Sequence, residues 1–132
     1  MMVPEAAAEQ LEESTSREET RYDKAFRETR RVLDECIRVL MVKERLEGNS
    51  TRRMQIRQKR RNLDRQRSAL VRANIAFHAG TATMTPPAPE LVAEISALSR
   101  EAAALTAERT TASAALALSA KVLQKFGEIQ GD

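Results

Sequence analysis

The chain has 132 residues, of which 31% are charged and 42% are hydrophobic, and its aromatic residues are three Phe and one Tyr. This length suits one domain, and so few aromatic residues exclude a thick globular core, so the packing must come from aliphatic side chains. Such a balance is typical of a coiled coil or helical bundle and not of a disordered chain. The single cysteine, Cys36, excludes an internal disulfide.

The net charge of +3 conceals an uneven distribution of charge along the chain. Residues 5–19 hold six glutamates against one arginine, whereas residues 52–67 hold eight Lys or Arg against one aspartate. The start of the chain lacks the basic and apolar regions of a secretory signal. The longest uncharged run of the last third, residues 110–120, is shorter than the roughly 20 residues of a membrane span. We therefore expect a cytoplasmic protein without a membrane partner.

The first predicted helix covers residues 20–47, and residues 1–19 are predicted to be an acidic N-terminal extension that is either separate or part of this helix. Steps of four and three residues, which are helical spacing, join the members of its apolar stripe. The stripe consists of Tyr22, Phe26, Thr29, Leu33, Cys36 and Leu40. Gly48 is expected to end the helix in a left-handed conformation, and Ser50 is expected to cap the next helix.

The second predicted helix covers residues 50–79 and has a heptad row of apolar residues. Ile56, Leu63, Leu70 and Phe77 lie seven residues apart, but Lys59 and Gln66 stand at companion positions. The apolar seam of the first half of this helix is therefore thin.

Four arginines of the second predicted helix, Arg53, Arg57, Arg60 and Arg61, share one face. Arginine binds phosphate through a planar fork, so this face is a candidate contact for nucleic acid. The same side chains could instead pair with carboxylates of the first segment, lie in solvent, or bind an acidic protein. The candidate carboxylates are those of Glu12 to Glu19, Glu44 and Glu47.

Residues 80–89, with three prolines, separate the second helix from a third that is predicted to cover residues 89–129. Two heptad rows run along this third helix and predict that it lies along another helix. One row is Leu91, Leu98, Leu105, Ala112, Ser119 and Phe126, and the other is Ile95, Ala102, Arg109, Leu116 and Leu123. The expected fold is all-α: residues 20–132 form three long helices in an up-down-up antiparallel, coiled-coil-like bundle, either alone or completed by oligomerisation.

The sequence contains no glycine-rich phosphate loop, no nucleophile elbow and no cysteine pair, and His78 is its single histidine. No set of groups can therefore be given complementary catalytic roles. We expect a protein that is not an enzyme, with no catalytic residue, no cofactor, no metal site and no small-molecule substrate.

These features favour a non-enzymatic helical interaction protein: an adaptor, a chaperone or an assembly component. Its partner would be another protein, a second copy of itself, or both, bound through the apolar seam. The predicted interface residues are Leu91, Ile95, Leu98, Leu105, Leu116, Leu123 and Phe126. The alternative is a nucleic-acid-binding protein that uses the Arg-rich face of the second helix.

Overall fold

The structure, a computed structural model, describes the backbone of residues 5–129 and the side chains of residues 20–129. Its helices are α1 (Glu5–Leu46), α2 (Ser50–His78), α3 (Pro89–Ala103) and α4 (Ala112–Gly127). The prediction of an all-helical bundle is confirmed, but the predicted number of three helices is wrong. Residues 5–19 of the predicted acidic extension continue α1 by their backbone, whereas their side chains and residues 1–4 lie outside the described part.

Helix α1 lies at the centre of the fold, because each of the other three helices packs against it. Its predicted stripe points into the core, where Phe26 is half-buried. Further apolar positions of α1 are also buried, since neighbours surround this helix on several sides. The buried residues of α1 are Tyr22, Ala25, Thr29, Val32, Leu33, Cys36, Ile37, Val39 and Leu40.

Helix α2 turns back and runs antiparallel to α1. Asn49, and not Ser50, caps it: the Asn49 side chain accepts a hydrogen bond from the Arg52 N–H at 3.0 Å. Gly48 does not adopt the expected left-handed conformation: among the described residues, positive φ occurs at Gly80 and not at Gly48. Among the residues of α2, Leu63 and Leu70 are buried, and the α2 backbone hardly approaches α3 or α4.

The end of α2 is a Schellman motif that needs a glycine. Gly80 has a φ of 77°, its N–H donates to the Phe77 carbonyl at 3.1 Å, and the Thr81 N–H donates to the Ala76 carbonyl at 2.9 Å. The following loop is joined to the end of α4 by the Thr85 N–H, which donates to the Ile129 carbonyl at 2.6 Å. The three-proline segment therefore both ends α2 and closes this end of the bundle.

The predicted third helix is interrupted between Ala103 and Ala112, and its two halves form an antiparallel hairpin. Thr111 caps α4 by accepting from the Ala114 N–H at 3.0 Å, and Lys125 of α4 pairs with Glu94 of α3 at 2.9 Å. A continuous helix of about 40 residues would be about 60 Å long and would extend beyond α2. Folding back lets both apolar halves pack on the same part of α1, so the order is up-down-up-down.

Candidate interaction surfaces

The seven residues of the predicted protein interface do not lie on one surface. Ile95 and Leu98 of α3 and Phe126 of α4 are buried in the core of the chain itself. The other four, Leu91, Leu105, Leu116 and Leu123, are half-buried and pack against this core. Leu116 and Leu123, with Phe126 at one end, are nevertheless part of an open groove.

This groove runs between α2 and α4, which are parallel to each other because both are antiparallel to α1. Its larger part has a volume of about 520 Å³, and a second part of about 270 Å³ continues it past Gln66 and Leu123. The larger part is lined by Lys59, Asn62, Leu63, Gln66, Leu116, Ser119, Ala120, Leu123 and Gln124. The second part adds Ala69, Leu70 and Phe126. Along α2 the groove extends from Lys59 to Leu70, a length of roughly 16 Å.

The groove exists because α2 and α4 both pack on α1 while their backbones hardly approach each other. On the α4 side the small side chains of Ser119 and Ala120 leave space, and on the α2 side Asn62 and Gln66 stand where a closed bundle would have leucines. The leucines of the lining are buried or half-buried, whereas its amides and Lys59 are exposed. None of the lining residues is acidic. The surface is therefore an apolar trough with a neutral to basic rim.

Carboxylates of α1 hold three of the basic side chains of α2. Arg57 Nε and Arg60 Nε bind the two oxygens of Glu44 at 2.6 and 2.8 Å, and Arg67 pairs with Asp34. Hydrogen bonds first from Arg57 and then from Arg60 lower the pKa of Glu44. Of the predicted phosphate contacts, Arg57 and Arg60 are therefore engaged within the chain, as the alternative of pairing with Glu44 had anticipated.

The other two predicted contacts, Arg53 and Arg61, are exposed and have no ion pair among the residues that the structure describes. Four further basic side chains of α2 share this state: Arg52, Lys59, Arg65 and Arg72. Helix α2 carries nine Lys or Arg against one acidic residue, Asp64. Most of its charge is thus not neutralised by the described part of the chain.

The remaining reactive side chains occupy structural positions. Burial raises the pKa of Cys36 to about 11, with the charge of Glu35 as the second cause. His78 Nε2 lies 2.9 Å from Asp23 Oδ1 and links the end of α2 to α1. Within the described range, no three His, Cys, Asp or Glu side chains stand close enough together to hold a metal ion.

No helix of the described residues combines the length and the apolar character that a membrane span requires. No protein-family model matches the chain, and neither a curated protein nor a solved structure matches it.

Proposed function

We propose that this protein is a non-enzymatic interaction protein that binds an amphipathic helix of another protein in the groove between α2 and α4. Adaptors, chaperones and assembly components work through such surfaces. The observation that carries the proposal is the open, leucine-lined groove itself, which lies between two helices that are already held in place by α1.

The shape of the groove suits a helix better than an extended segment. Two parallel helices on a third leave a trough, and a fourth helix that fills a trough completes a bundle with interaxial distances of about 8–10 Å. Leu63, Leu116 and Leu123 offer the apolar contact, and each large apolar side chain that a partner buried there would contribute about 1.5–3 kcal/mol. About three helical turns fit along it.

The occupant is a different protein, because the described part of this chain presents no exposed apolar stripe that could fill the groove of a second copy. A concave surface does not complement itself, so two grooves cannot pack face to face. The exposed large hydrophobic residues of the described part are Met41, Leu46, Met54 and Ile75. They are scattered and form no helical stripe, and in residues 5–19 the one large apolar residue is Leu11.

The charge around the groove indicates the polar face of the partner helix. Lys59 lies at its edge, no acidic residue lines it, and α2 is strongly basic. A partner helix with Asp and Glu beside its leucine stripe would gain electrostatic complementarity, which contributes to association rate and specificity.

The test uses three labelled peptides of 21 residues that contain the same number of leucines. One has a helical leucine stripe flanked by Glu, the second has the same stripe flanked by Lys, and the third has the Glu composition with the stripe scrambled. We expect the Glu-stripe peptide to bind, with methyl chemical shifts that change at Leu116 and Leu123. We expect the scrambled peptide not to bind, because its leucines share no face.

The matched variants are Ala120→Trp, which fills the groove, and Ala114→Trp, which places the same ring on the exposed opposite side of α4. Ala120→Trp should weaken peptide affinity at least tenfold, while Ala114→Trp should leave it unchanged. Equal loss in both variants, or shift changes confined to other surfaces, would contradict the proposal. So would a stable homodimer that Ala120→Trp dissociates.

A further inference from the structure

The outer face of α2, on the side opposite Leu63, carries a line of exposed arginines. At about 100° per residue, Arg61, Arg65 and Arg72 lie within about 40° of one another, and the line from first to last is about 16 Å long. All three are exposed and have no ion pair among the described residues. We call these three residues the arginine line.

The fold does not require this arginine line. Other side chains of α2 attach the helix to α1, namely Leu63 and Leu70 in the core and Arg57, Arg60 and Arg67 in ion pairs. Arg61 and Arg65 are four residues apart, and like charges at this spacing destabilise a helix. The line therefore opposes folding slightly until an anion neutralises it.

We propose that the arginine line binds the phosphodiester backbone of a nucleic acid. This function is separate from the proposed groove, which opens on another side of α2. Arginine is suited to it because its planar guanidinium donates two parallel hydrogen bonds to a phosphate. A straight row of such forks complements a polymer whose charges are regularly spaced.

The composition of this face favours nucleic acid over an acidic protein surface. A protein interface has an apolar centre surrounded by a polar rim. Here the exposed large hydrophobic residues of α2, Met54 and Ile75, lie outside the stretch from Arg61 to Arg72. No aromatic residue stands between these arginines to stack on bases. The contact is thus to the backbone, independent of base sequence and dependent on salt.

The experiment measures fluorescence anisotropy of a labelled 20-base-pair DNA duplex of mixed sequence with the full chain from 50 to 200 mM KCl. We expect a Kd in the micromolar range at 50 mM that weakens as salt rises. The variant R61Q/R65Q/R72Q removes three phosphate contacts, so the log–log salt slope should decrease in magnitude by about 2.7. Its affinity at 50 mM KCl should fall at least tenfold.

The matched control is R100Q/R109Q/K121Q, which changes the net charge equally at exposed positions outside α2. This control should keep its affinity within about twofold and keep its salt slope; circular dichroism should show both variants folded. The proposal is overturned by any of three results. These are no binding by the unmodified chain at 50 mM KCl, equal losses in the two triple variants, or equal affinity for poly-glutamate of the same charge.

Discussion

At the scale of single residues, burial in the centre of the bundle determines the chemistry of two side chains of α1. Cys36 is fully buried, and its burial raises the pKa of the thiol to about 11. Burial also raises the pKa of Tyr22 to about 12, with the charge of Asp23 as the second cause. Both groups therefore stay protonated near neutral pH, and Cys36 acts as a small apolar side chain.

The raised pKa of Cys36 predicts slow labelling by a thiol reagent at pH 8. A thiol with a pKa of about 11 is roughly 0.1% ionised there, against about a quarter for an ordinary thiol, and the thiolate is the reacting form. We expect native labelling at least a hundredfold slower than labelling in 6 M guanidinium chloride, as followed by absorbance of the released reagent. Native labelling at the rate of the unfolded chain would contradict the buried position.

The same shift has a consequence for stability at alkaline pH. The pKa of the Cys36 thiol is higher in the folded protein than in the unfolded chain. Its contribution to the free energy of unfolding is therefore complete below about pH 8.5 and is lost as the pH rises towards 11.

At the scale of elements, α2 is the least firmly attached helix. It has 29 residues, yet Leu63 and Leu70 are its buried residues, and it packs closely on α1 alone. Cross-helix ion pairs with α1 add to this small apolar contact. Glu44 is central among them, since its side chain is 13% exposed and its carboxylate binds two arginines.

We predict that Glu44→Gln lowers the free energy of unfolding by about 1 kcal/mol at pH 7, the upper end for a partly exposed ion pair. Because the pKa of Glu44 is lowered in the folded state, the stabilisation is present above the unfolded value of about 4.3. It is lost as the pH falls through the lowered pKa. Urea unfolding at pH 7 and at pH 3 measures the difference between the two proteins, which should shrink at pH 3.

Glu35→Gln is the matched control, because the ion pair of Glu35 joins it to Arg38 within α1 and not to α2. Its loss should be about 0.3–0.5 kcal/mol. An equal loss in the two variants, or a Glu44→Gln loss that does not depend on pH, would mean that Glu44 does not hold α2.

At the scale of the whole molecule, one core joins the four helices around α1. The heptad rows of the last third contribute to this core from both helices, with Ile95 and Leu98 of α3 and Phe126 of α4. Because the core is shared, a destabilising substitution in the core face of α3 should unfold the entire chain and not only the α3–α4 hairpin.

We predict that Leu98→Asp unfolds the protein at 25 °C. Leu98 is 8% exposed, and a carboxylate there loses its hydration without gaining a partner, at a cost of several kcal/mol against a total stability of about 5–15 kcal/mol. The helical circular dichroism signal should collapse. Leu46→Asp, at a leucine that is 74% exposed, should keep its helicity and melting temperature. A Leu98→Asp protein that melts normally would place Leu98 outside the core.

The apolar stripe and the heptad rows of the sequence predicted well which residues are buried, but they did not predict where the third helix is interrupted. The stripe of α1 and the heptad row of α2 were legible because helical periodicity marks a buried face whatever that face packs against. The break before Ala112 was missed because the surrounding alanines favour helix and the heptad rows continue in phase across it. Thr111, a good capping residue before an apolar run, was the available signal.

The candidate groove could be predicted only in part from the periodicity of the sequence. Leu116 and Leu123 belonged to the predicted interface, and the polar companions Lys59 and Gln66 already showed that the seam of α2 was thin. Periodicity states which face of a helix is apolar but not which neighbour covers it. The uncovered space between α2 and α4 therefore could not be located from spacing alone.

The amino-acid sequence by itself determined that the chain is helical, that α1 ends and α2 begins near residues 47–50, and that α2 is basic. These properties are local: they follow from spacing, turn residues and charge within one segment. The tertiary structure decided that the last third folds back, that α1 is the centre, and which arginines are neutralised. Those outcomes depend on the competition among distant segments for the same part of α1. The free energy of folding is most favourable where several helices together remove the most apolar surface from water.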